Sequence, residues 1–193
     1  MFKKVLIVED HQSANLSVQK TLEDLGIINR EYVYYCDDAL LRIEKTIHND
    51  DPFDLLIADL YFEEDHRPQK ISGGSELILA AKNIQPGLKI LVFSAENKAS
   101  VIEPLINDSG IDGYVQKARR DVEELKNALN AISKGNKYFK GEMRQAIRQK
   151  NMHNFSEYDT TIISLLSKGT AQKDIPHFLI KNKMKPFSLS SIE

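Results

Sequence analysis

The sequence predicts an α/β protein, a doubly wound five-stranded parallel sheet followed by a small all-α unit. Two observations carry the prediction. Short apolar runs alternate five times with helix-like patterns before about residue 133, and such repeats build a parallel sheet with right-handed crossovers. Charge then divides the chain. Residues 1–133 hold 15 basic and 23 acidic side chains, net −8, whereas residues 134–193 hold 11 basic and 5 acidic, net +6. An acidic first part joined to a basic tail suggests two domains with different partners, one of them a polyanion, although charge alone favours the plainer reading of a solvated lysine-rich tail. The 193 residues, 41% of them hydrophobic, suffice for one full core and a smaller second unit.

The elements follow in order. Lys4 to Val8 is an apolar strand, and Glu9-Asp10-His11 leads into a helix from about Ser13 to Leu25, with Leu16 and Leu22 on its apolar side and Gly26 stopping it. Tyr32 to Cys36 reads as strand two, and Asp38 as the cap of a helix through Leu41 and Ile47. Asp54 to Asp59 is nearly all apolar and ends in a carboxylate, the pattern of a buried central strand. Gly73-Gly74-Ser75 opens a helix through Leu77, Ile78 and Ala81. Leu88 to Phe93 is strand four, ending at Ser94; a helix spans about Ser100 to Asn107, where Pro104 requires a late start. Asp112 to Gln116 is strand five, ending at Lys117, and Val122, Leu125, Leu129 and Ile132 mark a fifth helix. The connection Tyr61 to Ser72 is long, as functional or mobile loops are.

Open α/β sheets bind ligands outside the carboxyl ends of their strands. Glu9-Asp10, Asp59, Ser94 and Lys117 all stand at such ends. Singly, each has an ordinary reading as a cap, a turn residue or a solvated lysine; together, on four strands, they form a constellation. Crowded carboxylates share a cation or take up protons. An oxygen-rich pocket with open positions suits Mg²⁺, which keeps a few carboxylates and phosphate oxygens. Lys117 offers a compact charge for a phosphoryl oxygen and Ser94 a hydroxyl for another. The chemistry implied is attack of a carboxylate on phosphorus to give an aspartyl phosphate.

Residues 1 to about 134 resemble the receiver domain of two-component response regulators, through Val8-Glu9-Asp10-His11, Asp59-Leu60, Phe93-Ser94-Ala95 and Gly113-Tyr114-Val115-Gln116-Lys117. The resemblance implies a flavodoxin-like sheet with Asp59 as phosphoacceptor, loaded by a sensor histidine kinase. It assigns Mg²⁺ to Asp10, Asp59 and the Tyr61 carbonyl, with Glu9 acting through water. Ser94, Ala95 and Lys117 then meet the phosphoryl group, Ser94 and Tyr114 form the switch, and Tyr114 turns inward when Ser94 moves to the phosphate. Two departures stand out: the Tyr61 to Gly74 loop replaces the family's shorter Met-Pro and Gly pattern, and Ala118 replaces the proline common after the lysine.

The tail divides into a basic linker, 135–154, and a helical unit, 155–193. Phe155 to Asp159 caps a helix bearing Ile162, Ile163, Leu165 and Leu166, closed at Gly169. Thr170 to Ile175 opens a second that packs Phe178 and Leu179, with Pro176 awkwardly inside it, and Ser188 to Glu193 begins a third. That layout is the pattern of a helix-turn-helix, and equally of a small three-helix interaction bundle. The stretch is similar to a LuxR-type (NarL/FixJ-like) DNA-binding domain through Ser156, Leu165-Leu166, Gly169, Lys173-Asp174-Ile175 and Leu179. It implies DNA contacts from Lys173, Ser188, Ser190 and Ser191. The sequence given stops in the first turn of the expected recognition helix, as if truncated, so this form is expected to bind specific DNA poorly.

The function expected is a phosphorylation-controlled transcription regulator, not an enzyme, dimerising on phosphorylation; the alternative is a regulator with protein–protein output through the helical module. A glycine-rich phosphate loop is missing after strand one, which argues against a nucleotide binder. Lys3 and Lys4 precede only four apolar residues before Glu9, and no run reaches membrane length. The expected location is the cytoplasm. Cys36, the single cysteine, reads as a small buried hydrophobe.

Overall fold

The computed structural model describes residues 2–141 and 157–182. The chain divides into two compact units, residues 1–147 and 148–193. In the first, β1 (Val5–Val8), β2 (Arg30–Val33), β3 (Leu55–Ala58), β4 (Lys89–Ser94) and β5 (Gly113–Gln116) pair in parallel in the order β2-β1-β3-β4-β5. The expected doubly wound sheet is borne out. Helices α1 (Gln12–Asp24), α2 (Cys36–His48), α3 (Gly74–Ile84), α4 (Ala99–Asn107) and α5 (Asp121–Ser133) cross between them.

Alternation along the strands sorts their side chains onto two faces. Val5, Ile7, Leu55 and Ile57 pack with Val18 and Leu22 of α1 and Leu125, Leu129 and Ile132 of α5. Leu6, Val8, Leu56 and Ala58 point the other way, onto Ile43 of α2, Leu77 of α3 and Ile102 of α4. With both faces covered, β1, β3 and most of β4 are apolar throughout, as buried parallel strands must be.

Several local expectations need correction. Strand two lies at Arg30–Val33 rather than Tyr32–Cys36, because its register pairs Val8 with Val33 and the chain then leaves the sheet. Cys36 instead opens α2, buried as expected, and burial pushes its thiol pKa up to about 12. Asp38 is no cap; Tyr35 holds the N-cap position and Asp38 lies in the first turn. Leu16, Leu41 and Val122 face solvent, and Asn15, Thr21 and Thr46 take buried helix positions. Helix α4 does not start late. Pro104 sits inside it, so one intrahelical bond is lost, and burial of Ile102, Leu105 and Ile106 holds the short helix in place.

The second unit has α6 (Glu157–Ser167), a 3₁₀ turn (Gln172–Asp174) and α7 (Ile175–Lys181). Its small core joins Ile162, Ile175 and Leu179, with Leu165 against it, while Ile163, Leu166 and Phe178 are exposed. Pro176 is not inside a helix body: α7 begins one residue earlier, and proline is favoured in a first turn. Among the described residues, no helix is long and apolar enough to cross a membrane.

Candidate functional site

The strand ends bring four elements to one edge. Glu9 follows β1 and Asp59 follows β3, each continuing the sheet's hydrogen bonds: Glu9 N–H donates to Val33 O at 3.2 Å and Asp59 N–H to Val8 O at 3.1 Å. Ser94 ends β4, and its carbonyl accepts the Lys117 N–H at 2.8 Å, which sets the lysine just beyond β5. Gly74 passes so close to Asp59 that a Cβ there would lie 1.9 Å from the Asp59 carbonyl oxygen. A glycine is therefore required where α3 begins.

Charge is dense here. Glu9 is 2% exposed and Asp59 5%. The Lys117 ammonium lies 2.6 Å from Asp59 Oδ2 and 2.6 Å from Glu9 Oε2. Burial raises the Glu9 pKa, against the opposing pull of Lys117. Burial acts to lower the Lys117 pKa, but its hydrogen bonds to Asp59 and Glu9 outweigh that and leave it raised. Asp59 Oδ1 accepts the Leu60 N–H at 2.6 Å. Asp10 Oδ2 accepts the Glu63 N–H at 2.6 Å, while its Oδ1 meets His11 Nδ1 at 2.9 Å, the contact that raises the His11 pKa. Ligand atoms from Glu9, Asp10, His11 and Asp59 all lie within 4.8 Å of one another, so this cluster could hold a metal ion. Three carboxylates are a hard donor set that fits Mg²⁺.

One hydroxyl is under-satisfied. Ser94 Oγ is buried and, among the described residues, completes no hydrogen bond in good geometry; the group it faces is the Tyr114 hydroxyl, whose pKa it acts to lower against burial. A buried polar atom without a well-aligned partner is costly, and it is relieved when a ligand accepts or donates. Ala95 beside it is exposed at the mouth.

Tyr114 is already turned inward. It is 1% exposed, and its hydroxyl donates to the Glu96 carbonyl at 2.7 Å. Burial raises its pKa well above the usual phenol value. Glu96 is a junction that the sequence alone did not mark as an acceptor for Tyr114. Its carboxylate accepts the Tyr61 hydroxyl at 2.5 Å and the N–H groups of Asn97 and Lys98 at 2.8 Å.

The long loop after Asp59 is clasped to α2. Asp37 accepts the N–H groups of Lys70 and Ile71 at 2.8 and 3.0 Å. Arg67 grips Asp38 with both terminal nitrogens and stacks 4.3 Å from the centre of the Tyr35 ring. Tyr35 in turn donates to Asp65 at 2.5 Å. Asp38 thus anchors a loop rather than capping its helix. Nothing in the spacing of these charges announced it, because the partners lie 29 to 34 residues apart. In the second unit Lys173 is exposed in the 3₁₀ turn, whereas Ser188, Ser190 and Ser191 lie outside the described residues.

No family model matches the chain. It is 27% identical over 186 residues to the virulence factors putative positive transcription regulator BvgA of Bordetella pertussis, covering 91% of this chain and 81% of that one. It is 26% identical over 185 residues to the nitrate/nitrite response regulator protein NarP of Escherichia coli, covering 91% and 80%. Among solved structures, it resembles the isolated REC (receiver) domain of RcsB from Salmonella enterica serovar Typhimurium, in the presence of the phosphomimetic BeF3⁻. That likeness has a TM-score of 0.59 and 25% identity over 75% of this chain and 97% of that domain. The resemblance to response regulators is thereby borne out, and the chain is a relative of a transcription regulator and of a nitrate/nitrite response regulator.

Proposed function

We propose that this chain is a response regulator of a two-component phosphorelay. Asp59 accepts a phosphoryl group from the phosphohistidine of a sensor kinase, and the second unit controls transcription through DNA. The observation that carries the reading is the Lys117 ammonium, 2.6 Å from both the Asp59 and Glu9 carboxylates, at the sheet edge where the buried Ser94 hydroxyl completes no hydrogen bond in good geometry among the described residues. This is a carboxylate held against a cation, with a hydroxyl at the end of the neighbouring strand.

In the transfer, an Asp59 carboxylate oxygen forms a bond to phosphorus as the donor's N–P bond breaks, and the imidazole nitrogen keeps the electron pair. Lys117 exchanges its contact with Asp59 for a phosphoryl oxygen, and the Ser94 hydroxyl donates to another. Asp10, Asp59 and the Tyr61 carbonyl would hold Mg²⁺, with Glu9 acting through water. Bound there, the ion would neutralise charge on the phosphoryl oxygens. Movement of Ser94 toward the phosphoryl group favours the inward Tyr114, and the remodelled face changes assembly into dimers and DNA binding by the second unit.

The test is intact-mass measurement after incubation with acetyl phosphate and Mg²⁺, beside Asp59→Asn. A single phosphoryl adduct that needs Mg²⁺ and is lost in the variant is expected. No adduct on a folded wild-type chain would overturn the reading.

A further inference from the structure

The chain beyond α5 returns to the sheet, in an arrangement the proposed phosphoryl chemistry does not use. Tyr138 forms a parallel bridge with Gly113. Its N–H donates to the Asp112 carbonyl at 2.9 Å, and its own carbonyl accepts the Tyr114 N–H at 2.9 Å. The backbone amide of the switch tyrosine is thus held by the segment that runs on toward the second unit. Phe139 is 4% exposed and belongs to the same buried cluster as Tyr114. At the margin, the Tyr138 hydroxyl donates to Glu124 Oε2 at 2.5 Å and Lys140 Nζ lies 2.6 Å from Glu124 Oε1, so α5 fastens the other side.

Glycine at 113 makes the approach possible. A Cβ there would lie 2.8 Å from Ile132 Cδ1 and 3.3 Å from the Tyr138 carbonyl oxygen. The bridge is therefore built into β5 at the residue next to Tyr114.

We infer that Tyr138, Phe139 and Lys140 form a strap on β5 that reads the position of Tyr114, docked when the ring is inward and loosened when it leaves. This rests on the proposed role of Asp59. The physical ground is packing: a tyrosine ring withdrawn from a close-packed cluster leaves a void in the cluster that Phe139 shares, and packed cores answer such voids by shifting between discrete arrangements rather than by stretching. The strap therefore couples occupancy of the acceptor pocket to the order of residues 138–140. Coupling of this kind is reciprocal: whatever loading does to the strap, loosening the strap does to loading by the same factor.

The experiment uses the full chain with beryllofluoride and Mg²⁺. Occupancy is read by ¹⁹F NMR and amide exchange by mass spectrometry on peptides covering residues 136–140. Saturation is expected to slow exchange in those peptides several-fold. The double variant Tyr138→Phe, Lys140→Gln, which leaves the pocket untouched, is expected to exchange faster there and to bind beryllofluoride several-fold more weakly. Unchanged or faster exchange at full occupancy overturns the strap while leaving the acceptor reading intact. So does a variant with a loosened segment and unaltered affinity. A wild-type chain that takes up no beryllofluoride at all overturns both.

Discussion

The sheet carries a buried charged cluster at each end, and the two are built on opposite principles. Behind the N-terminal end of β5, Asp112 is 7% exposed and saturated. It accepts the Lys89 ammonium at 2.9 Å and the Ile90 N–H at 3.0 Å, with Lys82 at 3.7 Å. One anion faces two cations. At the carboxyl end, among the described residues, one ammonium faces Glu9 and Asp59, with Asp10 nearby and a buried hydroxyl that completes no hydrogen bond in good geometry. The first arrangement closes a structure. The second has surplus negative charge and an under-satisfied donor, which suits the cation and phosphoryl group proposed for it. Perturbed and under-satisfied groups, rather than buried charge as such, mark function.

Substitutions at the two ends break this comparison most sharply. Lys117→Ala is expected to slow acetyl phosphate loading by about 100-fold or more, as removal of a donor aimed at developing charge does. Asp112→Asn is expected to leave loading unchanged and to lower stability by about 1–3 kcal/mol, since it weakens the acceptor of a buried N–H and strands two lysines. Loading rates beside denaturant melts of both variants check the pair; equal loading defects would show that the two clusters are not functionally distinct. Gly74→Ala comes next. The Cβ would lie 1.9 Å from the Asp59 carbonyl oxygen, so the backbone must move, at a cost of about 1–3 kcal/mol. A variant that folds should load slowly because Asp59 is displaced.

A pH dependence sharpens the contrast further. The Glu9 pKa is raised in the folded chain, by burial above all. A carboxyl with a raised folded pKa gains protons on folding, so its contribution to stability falls as pH rises from the ordinary carboxylate range through the raised value. Glu9→Gln removes that slope. Thermal melts should therefore show the variant gaining on the wild type as pH rises above the ordinary carboxylate range, while its affinity for Mg²⁺, followed by calorimetry, declines. A stability difference independent of pH would exclude Glu9 as a group under electrostatic stress.

Much of the architecture was legible in the sequence because buried parallel strands must be apolar on both faces, which made Val5–Val8, Leu55–Ala58 and Lys89–Ser94 plain. Glu9, Asp59 and Ser94 were legible for the same reason, since they end those runs, and Lys117 because it follows the shorter run of β5. Strand two was misplaced because it is an edge strand, where Tyr32 and Tyr34 are half exposed and stack edge to face, 5.9 Å apart, so its apolar run overshoots the paired residues. The Arg67–Asp38 clasp and the Tyr138 bridge were invisible because each joins residues far apart in the chain. Such contacts leave no periodicity to read.

The smallest effect tests the under-satisfied donor itself. Ser94 Oγ is buried and completes no hydrogen bond in good geometry among the described residues, so Ser94→Ala gives up only its contact with the Tyr114 hydroxyl and relieves a desolvated hydroxyl. Its stability is expected to match or exceed the wild type, within about 1 kcal/mol. Loading of Asp59 should persist, since the attacking carboxylate and Lys117 are intact, but the loaded form should no longer slow exchange at residues 136–140. A hydroxyl kept for stability would show the reverse, a destabilised variant with an unchanged response. Only a group held back for a ligand can be removed at no cost to the resting fold and still abolish the signal.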